Sequence, residues 1–169
     1  FLYQDNPTDW FSAFEPGSQT RTDIFNMQET GYNFGQHMSR MSNPGLRGWF
    51  FMATYTQPCT DDWASNQFLM IEIANYNRKN PDGSANPPRL WRIGSSQNGP
   101  YAVCGSDKDY FAEGFAMLDY EGKNIFVGSN WNRKDNLELY KLELPTTWYE
   151  TLNGNIKYPQ APTGLTIKN

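Results

Sequence analysis

Tyr110–Pro145, YFAEGFAMLDYEGKNIFVGSNWNRKDNLELYKLELP, is the stretch from which the fold is read. Phe115, Met117 and Leu118 belong to a first short strand. Asp119-Tyr120-Glu121-Gly122 is a turn closed by glycine. Ile125, Phe126 and Val127 form a buried run that stops at Gly128-Ser129-Asn130-Trp131. After a polar loop, Leu137, Leu139, Leu142 and Leu144 include alternating positions, and Pro145 ends the run because it cannot continue a ladder. The unit is strand, turn, strand, polar loop, strand.

Working outward, the same unit recurs upstream. Phe51–Thr56 (FMATYT) is echoed by Phe126–Trp131 (FVGSNW), and Phe68–Ile73 (FLMIEI) by Leu139–Leu144 (LYKLEL). Phe34–Ser42 opens the earlier copy, Asn43-Pro44-Gly45 is a turn, and Gly48–Thr56 is the most strand-like run of the chain. Gln67–Ala74 reads as a buried strand and Arg89–Ile93 as the last strand of that copy. Further upstream, Phe1–Pro7, Trp10–Phe14 and Thr20–Met27 make a unit that lacks its opening strand. Repeats of short antiparallel strands at this spacing predict an all-β chain of about three four-stranded β-propeller blades. The expected blades are 1–30, 34–97 and 110–153. Three blades cannot close a ring, so the propeller is incomplete. The remainder, 154–169, is an extended tail whose Thr163-Gly164-Leu165-Thr166-Ile167 is similar to the first strand of a fibronectin type III module.

Composition agrees with strands. Hydrophobic residues make up 38% of the 169 and aromatics 16%, so much of the core has to be Phe, Tyr and Trp. The net charge of −4 excludes broad phosphate-backbone binding, which needs a basic face. No run of 18 apolar residues is available to span a membrane. The chain begins at Phe1, inside a strand-like segment, which points to an upstream segment removed from the mature protein. Cys59 and Cys104 lie in corresponding polar loops. Paired, they imply an oxidising, extracellular or periplasmic setting; the alternative is two thiols. One histidine and no C-x-x-C exclude a zinc site of the common kinds.

The order Tyr3-Gln4-Asp5-Asn6, then Gly35-Gln36-His37-Met38-Ser39, Gly48-Trp49, Tyr55-Thr56, Leu90-Trp91-Arg92-Ile93, Tyr110–Ala116, Ile125–Trp131 and Glu138–Pro145 resembles secreted bacterial propellers of the TolB-like, PD40-repeat type. Their catalytic relatives are oligogalacturonate lyases. In those enzymes, the resemblance implies, histidines of a Gly-His-x-Ser motif, of a motif after Leu-Trp-Arg-Leu and of Glu-Pro-His hold a divalent metal. Here His37 is the one histidine that carries over. Gly94-Ser95-Ser96-Gln97 has none, and Glu113-Gly114-Phe115 places Phe where the third would stand. Phenylalanine cannot ligate and serine is a poor neutral substitute, so the lyase chemistry is weakened while the fold expectation stands.

Other groups carry weaker signals. His37 is either a hydrogen-bonded structural residue or a general base with Glu113 or Arg40 as its partner. Asp61, Asp62, Asp107 and Asp109, two in each corresponding loop, are either solvated or a Ca²⁺ site, calcium being the one cofactor the sequence suggests. Trp63, Tyr110 and Trp131 lie in or beside loops, where they stack on a sugar ring or pin a loop. The resulting expectation is a secreted, non-catalytic propeller module that presents a surface to a protein or glycan. Its missing blades come from the parent chain, another chain or self-association. The alternatives are a piece of a polysaccharide lyase or hydrolase, and a structural subunit joined through open strand edges.

Overall fold

A computed structural model describes residues 2–5, 7–14, 17, 20–26, 34–39, 43–56, 64–73, 81–84, 89–98, 114–131 and 137–152. Among them the elements run β1 (Leu2–Asp5), β2 (Trp10–Phe14), β3 (Arg21–Asn26), β4 (Phe34–Ser39), β5 (Trp49–Thr56), β6 (Gln67–Glu72), β7 (Leu90–Ser95), β8 (Ala116–Leu118), β9 (Asn124–Ser129) and β10 (Glu138–Glu143). A single turn of 3-10 helix, Pro44–Leu46, precedes β5, and a five-residue helix α1, Trp148–Leu152, follows β10. The protein is therefore all-β, as its aromatic-rich, punctuated sequence predicts.

The strands form three antiparallel sheets, β1-β2-β3, β4-β5-β6-β7 and β8-β9-β10, each a meander between sequence neighbours. Four-stranded blades were the general expectation, with a first unit lacking its opening strand and three strands read directly in Tyr110–Pro145; the middle sheet has four. The first and third sheets have three among the described residues. In the third, the described residues directly after β10 turn into α1 instead of a strand. Pro145 offers no N–H, Trp148 N–H bonds back to the Pro145 carbonyl at 3.1 Å, and α1 buries Leu152 instead.

The middle sheet lies between the other two. Trp49, Phe51, Ala53, Phe68 and Met70 pack on Ala116, Leu118, Ile125 and Val127 of the third sheet. The opposite face, Phe50, Met52, Leu69 and Ile71, packs on Phe11 of the first. This double coverage explains why β6 shows no alternation: Phe68 to Glu72 are all buried. In β9, covered on one face, Ile125, Val127 and Ser129 alternate with less buried neighbours. Each large apolar side chain so buried contributes about 1.5–3 kcal/mol, against about 0.5–1.5 kcal/mol for a loop hydrogen bond. The two faces of the middle sheet therefore dominate stability.

Packing between the middle and third sheets is closest at β8, which lies against β4 and β5. Toward the later strands the sheets diverge, and larger side chains, among them Trp91, Tyr140, Trp148 and Tyr149, pack against the cluster there. Thr54 and Glu72, buried on opposite faces of the middle sheet, are both satisfied. Thr54 Oγ1 donates to the Ala64 carbonyl and accepts from Gln67 N–H at 2.9 Å. The Glu72 carboxylate receives Arg89 Nε and Nη2, each at 2.8 Å.

Candidate functional site

The chemistry-bearing residues within the described part gather at one end of the sheets, where β5, β7 and β9 finish and β4, β6, β8 and β10 start. His37 is on β4. Its register partner is Ala53, whose side chain faces the third sheet, so His37 faces that way too. Phe115, just before β8, stacks on the imidazole with centroids 4.3 Å apart, and Tyr55 lies 5.4 Å away. Gly35 pairs with Tyr55, and its lack of a side chain leaves room for the Tyr55 ring, into which a Cβ would run.

Burial pushes the His37 pKa below the usual 6.5, so the ring is neutral at neutral pH. A neutral imidazole held face to face with phenylalanine is a packing element with a polar edge. Among the described residues no group of three or more His, Cys, Asp or Glu side chains is placed to hold a metal ion. Arg40 and Glu113, the partners suggested for a general-base role, lie outside the described residues.

Beside this stack runs a polar network joining the middle and third sheets. The Asn66 carbonyl accepts Ser96 N–H at 2.8 Å and Ser95 Oγ at 2.9 Å. Asn98, buried just beyond β7, accepts Asn130 N–H on its Oδ1 at 2.8 Å. Gly114 packs so closely that a Cβ would lie 2.9 Å from Asn98 Nδ2 and 3.2 Å from Ser96. Trp131 N–H then bonds to Ser129 Oγ at 3.0 Å. Asn66, Gln97 and Trp131 adopt left-handed backbone angles, with φ of 56°, 56° and 46°. Asparagine tolerates such angles, whereas they are uncommon for Gln97 and Trp131, and the network holds the chain around them.

Trp131 is the sequence-predicted ligand residue that the structure describes. It is 47% exposed, and its ring sits 5.1 Å from that of Tyr140. One indole face is thus supported while part of the side chain stays open to solvent. Trp63 and Tyr110, the acidic residues Asp61, Asp62, Asp107 and Asp109, and Cys59 and Cys104 lie outside the described residues, as does the tail 154–169. Sequence reading passed over Asn98, Asn130 and Gly114 as loop residues. Nothing in their spacing signals them, because their roles depend on two sheets meeting. No described helix is long and apolar enough to cross a membrane.

No protein-family model, curated protein or solved structure matches this chain.

Proposed function

We propose that the three sheets are successive blades of an incomplete β-propeller and that the chain is a secreted, non-catalytic binding and scaffolding module. Support for the propeller comes from sheets that stack face to face in chain order, each a meander. The opening strand of the third sheet also lies against the opening strand of the second. Blades around a common axis converge at their first strands in this way. The TolB-like resemblance belongs to the same reading. It aligns His37 and Phe115 with two positions that would hold histidine ligands, and those two rings are in contact.

The observation that carries the binding role is Trp131, half exposed at the end of the stack and fixed by Ser129, Asn130, Asn98 and Tyr140. A supported indole with an open side is suited to stacking on a sugar ring. The polysaccharide-lyase alternative draws less support, because the residue stacked on His37 is Phe115, which offers no ligand atom.

The reading is tested by titrating neutral and acidic oligosaccharides while following tryptophan fluorescence and binding heat. The expected result is saturable binding that Trp131→Ala weakens at least about tenfold without changing the melting temperature. Saturable binding that Trp131→Ala leaves unaltered, or absence of binding across the panel, removes the glycan surface. Release of unsaturated sugar products from acidic oligosaccharides would instead establish the lyase reading.

A further inference from the structure

Trp131 has a carboxylate for a neighbour. Antiparallel register sets Glu138, the first residue of β10, opposite Ser129, and Trp131 N–H bonds to that same Ser129 through its Oγ at 3.0 Å. Tyr140 links the two side chains. Its ring lies 5.1 Å from the Trp131 ring, and its hydroxyl donates to Glu138 Oε2 at 2.8 Å. Glu138, Tyr140 and Leu142 alternate along one face of β10, opposite buried Ser129, Val127 and Ile125. Tyr140 and Leu142 pack on the core between the middle and third sheets, whereas Glu138 is exposed at the end of the row. An exposed carboxylate is thus held by a tyrosine whose ring is anchored in the core.

A long exposed side chain ordinarily samples many rotamers, and a ligand that fixes it opposes that freedom on binding. Tyr140 orders Glu138 beforehand. A carboxylate accepts hydrogen bonds and has none to donate. Hydroxyl groups of a sugar stacked on Trp131 can donate to it, and such charge-assisted bonds are about twice as strong as neutral ones. A uronic acid in the same place brings a second carboxylate toward the first, with repulsion and no proton to share. The net charge of −4 acts in the same direction. Between β9 and β10 the sequence also carries Arg133 and Lys134, outside the described residues, so the preference has to be assigned by a change at Glu138 that leaves both in place.

We infer that Glu138, held by Tyr140, is the hydroxyl-accepting residue of the Trp131 surface and makes it selective for neutral sugars over uronic acids. The inference rests on the glycan-binding reading of Trp131 and names the class of sugar that surface takes. The selectivity runs against the acidic substrates of the lyase alternative.

Isothermal titration calorimetry with neutral glucan, mannan and xylan oligosaccharides, and with an oligogalacturonate of matched length, tests it. The expected result is Trp131-dependent binding of at least one neutral sugar, at least about tenfold tighter than that of the oligogalacturonate. Glu138→Gln keeps the shape and an oxygen for the Tyr140 hydroxyl but loses the charge. It is expected to weaken the neutral sugar at least about fivefold and to narrow the gap between the two classes. Circular dichroism confirms that the variant folds, as its exposed position leads one to expect. Binding that depends on Trp131 but is unaltered by Glu138→Gln, or that favours the oligogalacturonate, overturns this inference and leaves the glycan reading in place. Absence of binding, or binding indifferent to Trp131→Ala, overturns both.

Discussion

His37 packs its ring against two aromatic neighbours. It is held between Tyr55 and Phe115, in a space that Gly35 keeps open. Because burial favours its neutral form, protonation opposes folding. The unfolded chain takes up a proton as the pH falls through about 6.5, while the folded chain resists until the pH reaches its lower value. The penalty therefore grows as pH falls through that window and is complete below it. His37→Phe, which keeps a flat ring against Phe115, is expected to shrink the difference in melting temperature between pH 7 and pH 5. An unchanged difference, measured by differential scanning calorimetry, would show that His37 does not carry the pH dependence.

At the scale of elements, Arg89 ties β6, β7 and α1 together. It grips the buried Glu72 carboxylate with two nitrogens, donates Nη1 to the Leu152 carbonyl at 3.2 Å and lies 5.1 Å over the Trp49 ring. Helix α1 is too short to hold itself together, so its place depends on such contacts and on buried Leu152. On the other side of α1, Trp148 Nε1 donates to the Gly122 carbonyl at 2.7 Å, which secures the helix to the turn between β8 and β9. Arg89→Met strands the Glu72 carboxylate in the core and is expected to cost about 2–4 kcal/mol. Arg89→Lys should cost less, since it retains the charge while losing the two-pronged grip. Chemical denaturation of the three proteins checks the order, and a fully stable Arg89→Met variant would refute it.

At the largest scale, the described sheets stack through two interfaces. Between the middle and third sheets, both partners contribute several buried side chains, from Phe51 and Met70 on one to Leu118, Ile125 and Val127 on the other. Between the first and middle sheets, Phe11 is buried among Phe50, Met52, Leu69 and Ile71, with Leu2 partly buried beside it and the Phe50 ring 5.9 Å away. Phe11→Ala should therefore cost about 3–5 kcal/mol locally and loosen the first sheet before the rest. Hydrogen exchange is expected to lose protection in β1–β3 while β8–β10 keep theirs. An equal loss in all three sheets would mean that the stack unfolds as one unit.

How much of this was legible beforehand follows from range. Short-range patterns identified the strands: the alternation in Asn124–Ser129, the aromatic run Trp49–Thr56, and the turn at Asp119–Gly122, where Asp119 Oδ1 accepts Lys123 N–H at 2.7 Å. Those signals are local because turn chemistry and the pleat act between near neighbours. The place of His37 could not be read this way, because its stacking partner Phe115 is 78 positions away and is brought to it by the meeting of two sheets. The same holds for Asn98 with Asn130, and for Glu72, whose charge sits in the core only because Arg89 arrives from the next strand. A chain's periodicity states which face of a strand is apolar. Which apolar faces are then covered, and which is left open as on the third sheet, depends on how the sheets pack.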